Sequence, residues 1–409
     1  MRFRLRSIGR GRRRVGVGLR LWWTVFASGM LLAMLVLYPV MHGGEQPASA
    51  GMKRDGGQDK QPAGTHGERE WTEPGRRDAQ LADGDSTGGR QRQEAAEPSD
   101  TEQPGGESRT ASARYAEALR GGTMIRIQLT GESRVETVPI EWYVRGVVAG
   151  EMPADFELEA LKAQAIAART YIVRKLLTAS GDGGRAKADV SDSTEDQVYV
   201  PVSKLAGLWP DGHAAQQKLD RISEAVAETK GLILTYEGEP IQASYFSTSN
   251  GYTENSEDYW SVSLPYLRSV PSPWDTHTSP RYKNTVTMKL KDFYKKLGVA
   301  YRKSGTIKVV SRTDGRRVKE LAVGKERLSG REVREKLGLH SSQFEWSIEG
   351  DTITLTSFGY GHGVGMSQYG ANALAAAGND AKQILRYYYQ GVTIEQASKL
   401  PEWTARFES

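Results

Sequence analysis

One carboxylate in this chain sits where a carboxylic acid could work near neutral pH. It is Glu151, in the run Gly146-Val-Val-Ala-Gly-Glu151-Met-Pro153. Pro153 disfavours helical backbone angles at Met152, so a helix through Gly146 should stop about here. Glu151 is then left at a helix C-terminus, beside carbonyls that lack intrahelical partners and at the negative end of the dipole. Val147, Val148 and Met152 make the surroundings apolar. Both effects disfavour the ionised carboxylate and predict a raised pKa. A raised pKa is what protonating a leaving oxygen requires. The same spacing also fits an exposed Glu in a turn.

Two further segments could carry chemistry. Tyr245 to Trp260 (YFSTSNGYTENSEDYW) mixes hydroxyls, amides and aromatic rings. A sugar site needs that mixture, with rings for pyranose faces and donors and acceptors for hydroxyls, although an ordinary polar hairpin loop has it too. Asn250-Gly251 marks a tight turn within it. Phe358 to Gly370 (FGYGHGVGMSQYG) sets alternating glycines around His362 and then opens a helix. Glycine there permits close backbone approach to a ligand or another strand. The run does not fit G-x-G-x-x-G, and no Lys follows as in a P-loop. His362 could be a sugar contact or a site-orienting residue, although a lone His is more often structural.

Other chemistries find less support. The chain has no cysteine, which excludes a thiol nucleophile, a disulfide scaffold and a Cys-ligated metal. The six histidines show no H-E-x-x-H and, outside the first 66 residues, no i,i+4 pair, so neither a metal nor another cofactor is expected.

These segments need elements to hold them. Met124–Leu129 alternates and predicts a strand. Helical spacing covers Ile140–Ala149. A longer helix is predicted from about Glu157 to Ala179, with an apolar stripe through Leu158, Leu161, Ala165, Ala168, Ile172 and Leu176 and Asp155 as its N-cap. Strands are predicted at Leu232–Tyr236, Gln242–Phe246, Thr285–Lys289, Thr306–Val310 and Thr352–Thr356, and helices at about Ser367–Ala377 and Asp380–Tyr389. The sum is an α+β fold of mixed helices and antiparallel strands, with a cleft and a smaller β-rich subdomain at about 282–350.

Composition divides the 409 residues further. Residues 1–20 carry eight Arg and no acid. Removing those eight from the net charge of +5 leaves 5 − 8 = −3, so the basic balance belongs to the N-terminus and no nucleic-acid face is implied. Residues 21–41 are uncharged and as a helix would reach about 31 Å, enough to span the hydrocarbon layer. The preceding Arg cluster places the N-terminus in the cytoplasm and the rest outside the membrane. Ala48-Ser49-Ala50 would serve as a cleavage site, but the apolar stretch exceeds the ~7–15 residues of a signal peptide, which favours a retained anchor. Residues 42–112, with Met52, Trp71 and Leu81 as the large apolar side chains after His42, read as a disordered linker. Residues 113–409 are left as the exported catalytic region.

Four segments then occur in order: VVAGEMPADFELEALKAQAIAARTY (147–171), STSNGYTENSEDYW (247–260), PYLRSVPSPWD (265–275) and GHGVGMSQYGANALA (361–375). Together they resemble the stage II sporulation protein D family of bacterial lytic transglycosylases, over roughly Thr123 to Ile394. The resemblance implies cleavage of the N-acetylmuramic acid to N-acetylglucosamine bond of peptide-stripped glycan strands, leaving 1,6-anhydro ends, during engulfment of the forespore. It implies the amidase stage II sporulation protein P and the membrane protein stage II sporulation protein M as partners, and it places the catalytic Glu at Glu151. Some members carry a cysteine-built zinc site; here Asp192–Tyr199 (DSTEDQVY) occupies that region. The matched segments nominate Arg169, Tyr171, Ser249, Asn250, His362 and Gln368 as substrate contacts. Gln164 lies on the apolar stripe and should face the cleft or tie helices together.

Glycosidases commonly use two carboxylates, whereas a lytic transglycosylase can use one, because the sugar's own C6 hydroxyl is the nucleophile. Two alternatives stay open. One is a non-catalytic glycan-binding scaffold. The other is a two-carboxylate muramidase with Glu254, Glu257 or Asp258 as partner.

Overall fold

The computed structural model describes residues 113–179, 187–193, 195–210, 212–302 and 305–407. The expected cytoplasmic segment, membrane anchor and linker lie outside them. Among the described residues no helix is long and apolar enough to cross a membrane.

The architecture is α+β. Strands β1 (Met124–Leu129) and β2 (Arg134–Pro139) form an antiparallel pair, and β3 (Val190–Ser191) joins β1 in parallel. Helix α1 (Ile140–Glu151) leaves β2 directly. Its end falls two residues beyond the helical spacing, as Pro153 demands.

Helix α2 (Leu158–Thr178) is the centre of the molecule. Its burial is not confined to the expected stripe: Ala160, Leu161 and every residue from Ala163 to Thr170 are buried. The reason lies in five alanines between Ala160 and Ala168, whose small side chains let neighbours close in from all sides. Those neighbours include α1, helix α3 (Gly212–Glu228) and strand β4 (Leu232–Tyr236). The predicted cap is also corrected. Glu157 stands at the N-cap without a side-chain hydrogen bond, while Asp155 pairs with Lys218 at 3.0 Å. The Glu157 amide is instead taken by Asn372 Oδ1 at 2.7 Å.

Of the predicted strand Gln242–Phe246 only β5 (Tyr245–Phe246) forms. A second core follows. It lies between the sheet of β6 (Lys283–Lys289), β10 (Phe344–Glu349) and β11 (Thr352–Phe358), the sheet of β7 (Ile307–Arg312), β8 (Val318–Val323) and β9 (Glu326–Ser329), and helices α4 (Leu290–Leu297) and α5 (Gly330–Leu337). Phe293, Tyr294, Leu321, Val333, Phe344 and Ile353 fill it.

The chain then returns to the first core. Strand β12 (Met366–Ser367) pairs in parallel with β5, Met366 opposite Tyr245 and Ser367 opposite Phe246. Helices α6 (Gln368–Ala376) and α7 (Ala381–Tyr388) and strand β13 (Thr393–Gln396) complete it. A short helix not expected from the sequence, Pro401–Phe407, packs Trp403 into the core.

Candidate active site

Glu151 is the last residue of α1 and is half-buried. Three separate segments meet its carboxyl. The Val198 amide donates to Oε1 at 3.0 Å, the Tyr245 hydroxyl donates to Oε1 at 3.2 Å, and Gln368 Nε2 donates to Oε2 at 3.4 Å. Burial pushes the carboxyl above the usual carboxylate range, against the opposing pull of these donors, of which the Val198 amide is the largest. The direction matches the sequence expectation.

Each donor has a local cause. A side chain at Gly146 would put its Cβ 2.3 Å from the Tyr199 ring, and one at Gly150 would lie 3.0 Å from Val198 Cγ1. Glycine at both positions lets the Gln197–Val200 segment lie flat on α1, so the Val198 N–H reaches Glu151. The two-residue β5–β12 ladder sets Tyr245 beside the start of α6. Ser367 caps that helix by accepting the Gly370 amide at 3.3 Å, which places Gln368 at the first helical position. Gly365, at φ +80°, leaves no room for a Cβ, which would fall 2.0 Å from the Ser244 carbonyl oxygen.

Of the nominated contacts, Gln368 alone is bonded to Glu151. Arg169, 1% exposed, forms a buried pair with Glu141 at 2.7 Å and donates to the Leu232 carbonyl at 3.1 Å. That ties α2 to α1 and β4 and leaves no face for a substrate. Tyr171 donates to Asp196 at 2.8 Å. Ser249 is fully buried, its hydroxyl donating to the Ser272 carbonyl at 2.5 Å and to Asp275 at 3.0 Å. Asn250 is buried and donates to Gly315 O at 2.8 Å and to Gln343. Gln164 is fully buried with neither amide atom bonded among the described residues, so it makes no side-chain tie between helices.

His362 stands one step back from the carboxyl. Its Nδ1 accepts the Val364 amide at 3.0 Å, and it hydrogen-bonds the Tyr245 backbone carbonyl. Phe246, Tyr259 and Trp260 surround the ring at centroid distances of 5.7, 5.5 and 5.3 Å. Burial, helped by Arg334 and Arg317, holds its pKa down to about 3, so the imidazole is neutral. It orients the strand that carries Tyr245.

The carboxylates weighed as second catalytic partners are all engaged with cations. Glu254 pairs with Arg317 at 3.1 Å, Glu257 with Arg268 at 2.5 Å, and Asp258 with Lys319 at 2.8 Å. In Asp192–Tyr199, Asp192 accepts the Thr130 amide and hydroxyl, and Asp196 accepts from Tyr171, Ser191 and Lys175. With no cysteine and these acids occupied, the segment does not fit a zinc ion.

The residues missed from sequence were Tyr245, Val198 and Gln197. Tyr245 opened a segment already singled out, but Ser249 and Asn250 drew attention through their types. A backbone donor such as Val198 leaves no residue-type signal.

Fold and site together define an α+β protein organised around one half-buried, hydrogen-bonded glutamic acid. A family described as "Stage II sporulation protein" matches residues 128–236. The chain is 49% identical over 284 residues to stage II sporulation protein D of Bacillus subtilis (strain 168), covering 69% of this chain and 82% of that protein. It is likewise 49% identical over 274 residues to stage II sporulation protein D of Bacillus amyloliquefaciens, covering 67% and 79%. An amidase enhancer of Bacillus subtilis (strain 168) is 32% identical over 305 residues, covering 61% of this chain and 40% of that protein. The chain belongs to the stage II sporulation protein D family.

Proposed function

We propose that this sporulation protein is a lytic transglycosylase that cleaves the N-acetylmuramic acid to N-acetylglucosamine bond of peptide-stripped glycan, with Glu151 as acid and then base. The observation that carries this reading is the Glu151 carboxyl at the end of α1, its pKa raised by burial and with no cation paired to it among the described residues, while Val198, Tyr245 and Gln368 stand ready to stabilise its anion. Protonated Glu151 gives its proton to the glycosidic oxygen as the C1–O bond breaks. The resulting carboxylate is held by those three donors. It then removes the proton from the C6 hydroxyl, whose oxygen closes onto C1 and leaves Glu151 protonated again. The cation pairing of Glu254, Glu257 and Asp258 supports a one-carboxylate scheme over the muramidase alternative.

The wider setting is part of the same proposal. The uncharged run at 21–41 would anchor the chain with residues 113–409 outside the membrane. Stage II sporulation proteins P and M would be partners, the first supplying peptide-free strands. A second reading has one supporting observation: a 32%-identical relative is named an amidase enhancer, and enhancement needs no cleavage by the enhancer itself. The deciding experiment incubates peptide-free glycan with wild type and Glu151→Gln and weighs the products. The catalytic reading expects 1,6-anhydro ends from wild type, reduced about 10²–10⁴-fold in the variant. A folded wild type that releases nothing supports the enhancer reading.

A further inference from the structure

A chain of four polar groups runs from the interior to Glu151, and every link points the same way. The Tyr143 hydroxyl donates to Gln197 Oε1 at 3.1 Å. Gln197 Nε2 donates to the Tyr245 hydroxyl oxygen at 2.9 Å, and the Tyr245 hydroxyl donates to Glu151 Oε1 at 3.2 Å. Tyr143 is completely buried and Gln197 is 3% exposed. We propose that Gln197, backed by Tyr143, is a positioning residue that decides which oxygen of Glu151 carries the catalytic proton. This rests on the reading of Glu151 as the acid.

An amide is a one-way device: its oxygen only accepts and its nitrogen only donates. With Gln197 Nε2 directed at Tyr245, the Tyr245 oxygen is engaged as an acceptor, and its own proton is free to go to Glu151. The reversed amide would present a carbonyl oxygen to Tyr245 and draw that proton away. Tyr143 prevents reversal because its hydroxyl needs the amide oxygen. Among the described residues no nearby group competes for the Tyr143 proton. Asp196 is taken by Tyr171, Ser191 and Lys175, and Tyr199 donates to Glu136 at 2.8 Å.

The consequence falls on Glu151. Oε1 already receives the Val198 amide and the Tyr245 hydroxyl, whereas Oε2 receives one longer bond from Gln368. A proton on Oε1 would face two donors, so the proton rides on Oε2, on the Gln368 side. The same oxygen then delivers it to the leaving group and later takes one from the C6 hydroxyl. The amide cannot pass a proton along as a hydroxyl or imidazole does, so the chain orients and does not relay.

The test uses the full-length chain with Gln197→Met and Tyr143→Phe, the second removing a single oxygen from a packed site. The protonated-carboxyl infrared band that disappears in Glu151→Gln is followed against pH. In Tyr143→Phe the amide is free to reverse and draw the Tyr245 proton away, and losing that donor should keep Glu151 protonated to higher pH, whereas Gln197→Met offers Tyr245 no competing acceptor and should shift the titration less. The alkaline limb of anhydro-product release should move up with it, and kcat should fall roughly tenfold with little change in KM. An unmoved titration in Tyr143→Phe overturns the proposal, whatever happens to Tm. If wild type releases no anhydro product, the proposed function fails on its own, and the infrared titration still decides this point.

Discussion

Glu151 meets opposing influences. Burial disfavours its charge, while three hydrogen bonds welcome it, and burial prevails. A group held in that balance costs the fold stability when ionised. The folded pKa lies above the unfolded value, so the cost is absent below the unfolded pKa and complete above the folded one. Glu151→Gln should therefore raise Tm by roughly 1–3 °C at neutral pH, and the gain should vanish as pH falls through the carboxylate range. Thermal unfolding of both proteins across pH checks this, and a gain independent of pH would contradict it. The carboxylate itself was legible from the local sequence, because Pro153 and the valines act within a few residues. Its partners were not: Val198, Tyr245 and Gln368 lie 47, 94 and 217 positions away.

Helix α2 shows how a motif can be read correctly in place while the surroundings of its residues stay hidden. Arg169 lies within the most diagnostic segment, which invites a substrate-binding part. The structure instead sinks it against Glu141. The alanine content that lets α2 be buried all round was visible in the sequence, but the depth of that burial was not, because it depends on how many elements converge. Arg169→Ala would leave Glu141 charged and unpaired in the interior, at a cost of about 3–5 kcal/mol. Arg169→Met with Glu141→Leu should recover most of it. Denaturant unfolding of the single and double variants measures both. A folded, fully stable Arg169→Ala protein with only a raised KM would restore the substrate contact.

At the scale of the molecule, two hydrophobic cores meet beside the site. Glu254 bonds to the Gly363 carbonyl through its own amide, while its carboxylate takes Arg317 and Thr313 from the second core. Gly363 has space only for hydrogen, since a Cβ would sit 2.4 Å from the Arg317 guanidinium. This junction joins the second core to the loop that carries His362, and hence to Tyr245. Arg317→Met should broaden or split the thermal transition and lower activity without displacing its pH limb. Calorimetry together with Trp346 fluorescence would show it, and a single unshifted transition would contradict the bridging role. The β-rich character of this region could be read from its strands, but a junction made of one buried ion pair and one glycine has no periodic signature.

The central claim is that one glutamic acid suffices because the sugar supplies its own nucleophile. Digesting peptide-free glycan strands in ¹⁸O-labelled water tests it most directly. The new muramic ends should be 1,6-anhydro and carry no label, since the oxygen that closes on C1 comes from C6. Label at those ends would mean that water is the nucleophile and would contradict the account.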